Sequence, residues 1–367
     1  MKIAYITKVF IPTFAAQSVQ VRSMSIAFNY ILKHDFILIS PVSKDNFKLD
    51  YDFDWLRLNL NNNSLLDQFN FTLKSLIYTK KNNFKLIITR DILIAFFSLL
   101  FNFKIYYEVH KEPKTLWNSL LIIFLKKFDN IRFICISNAL SIYYSDQFKI
   151  KKSKILVLHD AVFIENYDKN LLIDKKEIRK ELNLPLNELI LMHTGSAYLD
   201  RGINFFEIIA TEFPNIKIYH IGGEERFIEY WKLKLCKYSN IIFIGHCDNS
   251  KLVKYQLSAD ILFYPMGKFN SNYWCTSPMK LFEYMATGIP ILGSNIGSSS
   301  EIITKNQLLN LSSYDNDDFK NILNKFLGNR DFYEKNARLL RNIVQNNYTW
   351  QLRVKNLIND FNTKFNA

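Results

Sequence analysis

Short apolar runs recur along the chain at intervals of 15 to 50 residues. In the first half they are Lys2–Thr7, Phe36–Ser40, Lys85–Thr89, Lys104–Val109, Arg132–Ser137 and Lys154–His159. Each is nearly continuous in apolar or β-branched residues, and most of the intervening segments can hold a helix. Strands buried on both faces have this pattern, and their alternation with helices predicts an open parallel α/β sheet. The second half repeats the scheme with Leu189–Thr194, Ile216–Ile221, Asn240–Ile244, Asp260–Tyr264, Ile289–Leu292 and Leu308–Leu311. Two Rossmann-like domains in tandem are therefore predicted, each binding ligands beyond the carboxyl ends of its strands. A helical tail is expected from Asp331 to Phe361.

The stretch richest in chemistry is Cys275–Glu301. Ser277 suits a helix N-cap and Pro278 a first helical position, where a missing N–H costs nothing. Met279–Thr287 then read as a short helix, stopped by Gly288 and kept from continuing by Pro290. A helix start offers unpaired amides and a positive dipole end, which suit an anion such as phosphate. Lys280 adds a full charge there. Glu283, one turn on, would repel a phosphate but could accept two hydrogen bonds from a ribose diol. Taken alone, the stretch equally fits an ordinary capped surface helix. Glycine usage favours a ligand in this half: all ten glycines lie between Gly195 and Gly328, and close backbone approach to a ligand needs glycine.

The order Ser-Pro-x-Lys-Leu-Phe-Glu-Tyr-Met-Ala-x-Gly-x-Pro from Ser277 to Pro290 resembles the donor-site helix of retaining GT-B glycosyltransferases, specifically glycosyltransferase family 4. The resemblance implies an α/β GT-B architecture, two Rossmann-like parallel-sheet domains facing across a cleft. The implied acceptor-side domain is 1–170, with a C-terminal helix 345–367 crossing back onto it, and the implied donor domain is 171–344. It implies that Glu283 binds the ribose of a nucleotide sugar and that Ser277, Pro278 and Met279 hold its diphosphate with Lys280. Leu191-Met-His-Thr-Gly195-Ser-Ala-Tyr-Leu-Asp-Arg201-Gly202 corresponds to the family's Gly-Arg-x4-Lys-Gly loop, which puts Arg201 on the diphosphate. Gly222 and Gly245 end successive strands where backbone would approach the nucleotide. In the first domain His110, after Glu108-Val109 at a strand end, resembles the family's sugar-contacting histidine. Ala15-Ala16 replace the family's glycine pair, leaving Ala16 near the donor phosphates. Residue readings without the resemblance remain open: a solvated Arg201, a structural His110, a plain loop at Ala15-Ala16. Arg90-Asp91 either line the same cleft or pair internally.

The chain departs from the family at three places: Cys275 where a sugar-touching Glu is usual, Ser196 in place of an Arg, and Ala15-Ala16. The implied activity is transfer of a sugar from a nucleotide diphosphate to an acceptor hydroxyl. Cell-surface polysaccharide synthesis (O-antigen, capsule or lipopolysaccharide) is the expected setting. The three departures support an alternative, a non-catalytic sugar-nucleotide-binding or scaffold subunit of a polysaccharide assembly complex. An epimerase or a phosphorylase of the same fold is a further rival. Neither a cofactor nor a metal is expected. Asp52-Phe-Asp54 spells the Asp-x-Asp of metal-dependent transferases of another fold, but reads as a solvated loop.

Composition narrows the partners. With 367 residues, 49% hydrophobic and 22% charged, the chain can bury two substantial cores. Four scattered cysteines show no zinc spacing and read as reduced thiols. Met1–Ile6 enters directly as a strand, and no apolar run reaches the roughly 20 residues that span a bilayer; a cytoplasmic protein is expected. The net charge of +13 is uneven: residues 1–170 hold 23 Lys and Arg against 14 Asp and Glu. That points to an anionic partner for the first half, either a membrane surface (the inner face of the plasma membrane) or a lipid-linked glycan acceptor. Nucleic acid is disfavoured, since no zinc-finger or RNA-recognition signature occurs.

Overall fold

The computed structural model describes residues 2–43, 51–60, 64–304 and 307–365. By contacts the chain divides into two units, Met1–Asp160 with Trp350–Ala367, and Ala161–Thr349.

The first unit is built on a seven-stranded sheet: β1 (Ile3–Ile6), β2 (Phe36–Ser40), β3 (Trp55–Arg57), β4 (Leu86–Thr89), β5 (Lys104–Val109), β6 (Ile131–Cys135) and β7 (Ile155–Val157). All neighbours pair in parallel, in the order β3-β2-β1-β4-β5-β6-β7. Its helices are α1 (Ala16–Leu32), α2 (Leu65–Lys81), α3 (Ile92–Leu100), α4 (Leu116–Leu125) and α5 (Asn138–Phe148). The side chains of Ser64, Thr115 and Ser137 accept backbone N–H bonds and so fix the starts of α2, α4 and α5. Every residue of β1 is fully buried, as a strand covered on both faces must be. The strand order turns outward from β1 and β4, so the ligand crevice of this sheet type opens at their carboxyl ends.

The second unit opens with α6 (Glu165–Leu171) and α7 (Lys175–Glu181). Its sheet comprises β8 (Leu189–Thr194), β9 (Ile216–Ile221), β10 (Ile241–Ile244), β11 (Ile261–Tyr264), β12 (Ile291–Gly293) and β13 (Leu309–Asn310). The order β10-β9-β8-β11-β12-β13 is again parallel throughout and turns outward from β8 and β11. Helices α8 (Phe206–Glu212), α9 (Glu225–Lys234), α10 (Asn249–Ser258), α11 (Met279–Thr287), α12 (Asn316–Gly328) and α13 (Arg330–Asn347) flank it. Residues 161–170 belong here because Tyr167 donates to Gln256 Oε1 at 2.7 Å and Asp168 pairs with Arg341.

All twelve expected strands form, and β3 is added. Three residues at a sheet edge, two half-buried and one exposed, leave too short a pattern to read. Asp52 and Asp54 lie exposed just before it, and Leu38 N–H donates to the Asp54 carbonyl at 2.9 Å. The strand expected from Ile289 starts at Ile291 instead. Gly288 closes α11 with φ +69°, and Ile289-Pro290 carry the chain out of that turn.

The last helix, α14 (Trp350–Phe365), packs on α1 in the first unit. Its Asp360 receives Arg132 Nε and Nη2 at 2.7 and 2.9 Å, and also the Tyr106 hydroxyl. Arg353 is buried and donates to the carbonyls of Leu158 and His159 beyond β7. Its Nη2 lies 3.3 Å from Glu108 Oε2. Removing one partner of a buried pair strands the other charge, at about 3–5 kcal/mol. Arg353→Met should therefore lower unfolding stability by about that much, read from urea denaturation followed by tryptophan fluorescence; an unshifted midpoint would show that α14 is not held by this charge.

Candidate functional site

The polar groups of the second unit converge at the carboxyl ends of β8 and β9 and the start of α11. Lys280, in the first turn of α11, lies against Gly195, which follows β8. A Cβ on Gly195 would stand 3.0 Å from Lys280 Cε, and φ there is +115°. Gly222 follows β9 with φ +100°, and a Cβ on it would meet the Gly195 carbonyl at 2.9 Å. Both positions therefore need glycine. Gly245, after β10, is different: its surroundings are open, and its carbonyl accepts the Gly222 N–H at 3.2 Å, a bond shared with the Ile244 carbonyl at 3.0 Å.

Lys280 Nζ lies 3.0 Å from His193 Nε2. His193 Nδ1 lies 2.8 Å from His220 Nδ1, and His220 Nε2 lies 3.0 Å from the Gly222 carbonyl. That carbonyl can only accept, so His220 carries its proton on Nε2. Its Nδ1 then accepts from His193 Nδ1–H, and the His193 Nε2 lone pair is left for the lysine. Burial first, and then the Lys280 charge, hold both imidazoles neutral: His193 is far below its usual range and His220 is lowered to about 3. Burial also lowers the Lys280 ammonium to about 7, with Arg201 adding to the effect and Glu283 opposing it.

Arg201 lies on the loop after β8, its Nε 3.5 Å from Asp200 Oδ1 and its guanidinium 6.0 Å from the Tyr198 ring. Glu283 is partly accessible, and burial raises its carboxyl. Gln256 Nε2 approaches Glu283 Oε2 at 3.4 Å and also donates to Thr194 Oγ1 at 3.1 Å. The Tyr284 hydroxyl accepts Thr194 N–H at 2.8 Å, tying α11 to the end of β8.

The helix start differs from the expectation in one respect. Pro278, not Ser277, occupies the N-cap position, with φ −82° and ψ 105°, and no side chain caps the helix. The extended ψ delays the first turn to Met279, and Ser277 is buried two residues before it. Met279 and Lys280 remain partly accessible. Cys275 is buried, its thiol 3.8 Å from the Asn272 carbonyl.

In the first unit, His110 directly follows β5, with Nε2 2.5 Å from Glu108 Oε1. Burial and the Arg90 charge lower His110 to about 4, against the pull of Glu108. The imidazole is thus neutral near pH 7 and donates Nε2–H to the carboxylate. Burial alone would raise Glu108, but Arg353 and His110 outweigh it and hold the carboxyl far below its usual range. Gln20 Nε2 adds a bond to Glu108 at 2.8 Å, and Arg90 Nη1 donates to Gln20 Oε1 at 2.9 Å. Asp91 Oδ2 accepts the Lys8 N–H at 3.0 Å. Arg90 and Asp91 therefore both have internal partners. Ala16 is exposed at the first position of α1, which no side chain caps.

Residues 174–348 match the family Glycosyl transferases group 1. The matched stretch contains His193, Gly195, Arg201, His220, Gly222, Gly245, Lys280 and Glu283. No curated relative matches the chain. Among solved structures, a glycosyltransferase from Rickettsia africae ESF-5 is 15% identical with a TM-score of 0.78, covering 99% of each chain. Sucrose-phosphate synthase from Thermosynechococcus elongatus is 15% identical with a TM-score of 0.77, covering 100% of each. Anabaena Alr3699/HepE, solved in complex with UDP, is 13% identical with a TM-score of 0.76, over 99% of this chain and 100% of that one. The fold is GT-B.

Sequence reasoning missed His193, His220, Gln256 and Tyr284. A signal for the histidines was present. LILMHT and IKIYHI are both six-residue apolar strands with His in the fifth place, and parallel pairing sets His193 beside His220. Gln256 and Tyr284 carried no comparable mark.

An amine that loses its proton near pH 7 becomes nucleophilic there, whereas an exposed lysine stays protonated to about 10.4. Trace acetylation with acetic anhydride, read by mass spectrometry across pH, should give Lys280 a midpoint near 7. A midpoint in the ordinary lysine range would mean that the Nζ is solvated and not enclosed beside His193.

Proposed function

We propose that the chain is a retaining glycosyltransferase that moves a sugar from a nucleotide-diphosphate donor to an acceptor hydroxyl. The observation that carries this is the placement of Lys280 within a domain matching Glycosyl transferases group 1: its ammonium lies at the uncapped start of α11, against Gly195 and one turn from Glu283. Breaking the glycosidic C–O bond builds negative charge on the departing diphosphate. Preorganised amides and cations stabilise that charge most in the transition state. In this reading Lys280, Arg201 and the amides of Met279 and Lys280 receive the diphosphate, with Ser277 and Pro278 shaping the turn. Gly195 and Gly222 let backbone approach it, Gly245 supports Gly222, and Glu283 takes the ribose hydroxyls. His110, neutral and fixed by Glu108, contributes a contact to the sugar and not a proton; Ala16 lines the acceptor-side unit at the start of α1.

The acceptor hydroxyl attacks from the face that the diphosphate leaves, and the phosphate takes its proton. This route uses no protein nucleophile, cofactor or metal. Because UDP is bound by the Anabaena neighbour, uridine donors come first in the test. A panel of nucleotide sugars in EDTA should give nucleoside diphosphate release with at least one donor. Binding without release would favour the non-catalytic subunit, and release restored only by a divalent ion would overturn metal independence. Glu283→Ala should weaken nucleotide affinity by about 10- to 100-fold, the loss of a hydrogen-bonded charged partner worth about 1.5–3 kcal/mol. Arg201→Ala should lower kcat more than it raises donor KM, because the charge it meets grows toward the transition state. Undiminished kcat would remove Arg201 from the reaction.

The acceptor in this proposal is a lipid-linked glycan of a cell-surface polysaccharide, reached at the inner face of the plasma membrane. Among the described residues no helix is long and apolar enough to cross a membrane, so the contact would be peripheral. An apolar surface supports it. Leu65, Leu66 and Phe69 on α2 and Leu116, Trp117 and Leu120 on α4 are exposed. Ring contacts Phe69–Phe97 at 5.3 Å and Phe96–Phe124 at 5.5 Å join those helices through α3. Lys74, Lys111, Lys114 and Lys127 are exposed on the same unit, while Lys126 is turned inward, donating to the Phe148 carbonyl at 2.6 Å. Each surface lysine contributes about 1 kcal/mol toward anionic lipid, screened over a Debye length of about 8–10 Å. Co-sedimentation with anionic vesicles should fall steeply with salt and should weaken in Trp117→Ala; protein left in the supernatant at low salt would argue for a soluble acceptor.

A further inference from the structure

The two histidines behind Lys280 have no part in the donor chemistry above, yet both are buried in the second unit's core. His193 lies among the rings of Phe206 and Phe263, and His220 against Phe243. Two apolar side chains would fill the same space without desolvating four ring nitrogens. Instead, all four nitrogens are used, in one unbranched chain: Lys280 Nζ to His193 at 3.0 Å, His193 to His220 at 2.8 Å, and His220 to the Gly222 carbonyl at 3.0 Å. The chain thus begins at the helix-start cation and ends at the glycine turn that packs on Gly195.

We propose that His193 and His220 are positioning residues, a neutral imidazole pair whose tautomers are set by the Gly222 carbonyl and which fixes the Lys280 ammonium against Gly195. A lone pair on His193 Nε2 stabilises the charged amine over the neutral one. It therefore offsets part of the burial that would otherwise discharge Lys280. The charged or titratable groups acting on Lys280 are Arg201 from the loop after β8, Glu283 from its own helix, His193 from β8 and His220 from β9. Arg201 and burial favour the neutral amine, and Glu283 and the His193 lone pair favour the charged one. Since both imidazoles stay neutral through the working range, any alkaline loss of anion affinity reports on Lys280 and not on them. The sign follows: the cation is present below its midpoint near 7 and lost as pH rises through it. Only the identity of the anion rests on the glycosyltransferase reading.

The tests use the full chain. Nitrogen NMR of ¹⁵N-histidine-labelled protein, assigned with H193Q and H220Q, should show His193 protonated on Nδ1 and His220 on Nε2 from pH 6 to 9. A His193 proton on Nε2 would overturn the proposal. In H193F the acceptor is gone, so the Lys280 acetylation midpoint should fall by about one pH unit, a tenfold change in ionisation. In H193Q an amide oxygen can accept from the lysine while its NH2 donates to His220, so the midpoint should stay close to wild type. An unmoved midpoint in H193F would overturn the positioning role. Inorganic pyrophosphate, a probe independent of base and sugar, should bind H193F about fivefold more weakly at pH 7, with its alkaline limb shifted to lower pH, and H193Q should retain the wild-type profile. If the acetylation midpoint shifts but pyrophosphate binds neither variant nor wild type, the histidine pair stands and the diphosphate reading of the site fails.

Discussion

An ammonium held out of bulk water must find acceptors, and the site in the second unit is arranged around that requirement. Lys280 is partly accessible but lowered to about 7, and its hydrogen-bond partner is an imidazole and not a carboxylate. A carboxylate there would have neutralised the charge within the protein. A neutral lone pair holds the amine in place and leaves its charge to act on something else. Gly195 is held at φ +115°, which favours glycine, and a Cβ there would press on the end of the lysine side chain; Gly222 has to be glycine because it packs on Gly195. The turns after β8 and β9 and the first turn of α11 are thus mutually dependent through one side chain.

The first unit resolves a comparable cluster in the opposite way. Glu108, Arg353, Arg90 and His110 meet at the carboxyl end of β5 and the start of α14, but each charge has a partner of opposite sign or a hydrogen-bonding amide. The outcome is a self-compensated network that secures α14 to the sheet. His110, at its rim, is kept neutral with its tautomer fixed. Both clusters sit at strand ends of the same sheet topology, yet in the second the Lys280 ammonium is hydrogen-bonded to a neutral imidazole and not to a carboxylate. That difference in compensation, more than the shared fold, distinguishes the two clusters.

Burial in this chain is therefore used for two purposes. Around Arg353 and Asp360 it strengthens ion pairs that join distant parts of the sequence, since Arg132 and Asp360 are 228 residues apart. Around His193 and His220 it keeps titratable rings neutral, so that their tautomers are decided by a single backbone carbonyl. The exposed apolar faces of α2 and α4 are the counterpart of these buried polar groups: apolar surface that the unit's own core does not cover.

Local pattern was enough for much of this. Continuous apolar runs announced twelve strands because a parallel sheet buries both faces, and the helix Met279–Thr287 was legible from its proline, its periodicity and Gly288. Lys280 and Glu283 could be singled out because their chemistry follows from their place on one short helix. The sequence could not say what Lys280 touches. His193 and Lys280 are 87 residues apart, and their contact exists only because β8 and α11 meet at the strand-order reversal of the sheet. His220 joins them through a register that sets it beside His193, and Arg353 finds Glu108 only when the last helix packs on the first unit. Side-chain chemistry and secondary structure are properties of neighbours in sequence. Compensation of charge, tautomer and proton affinity depend on neighbours in space, and only the packed structure supplies those.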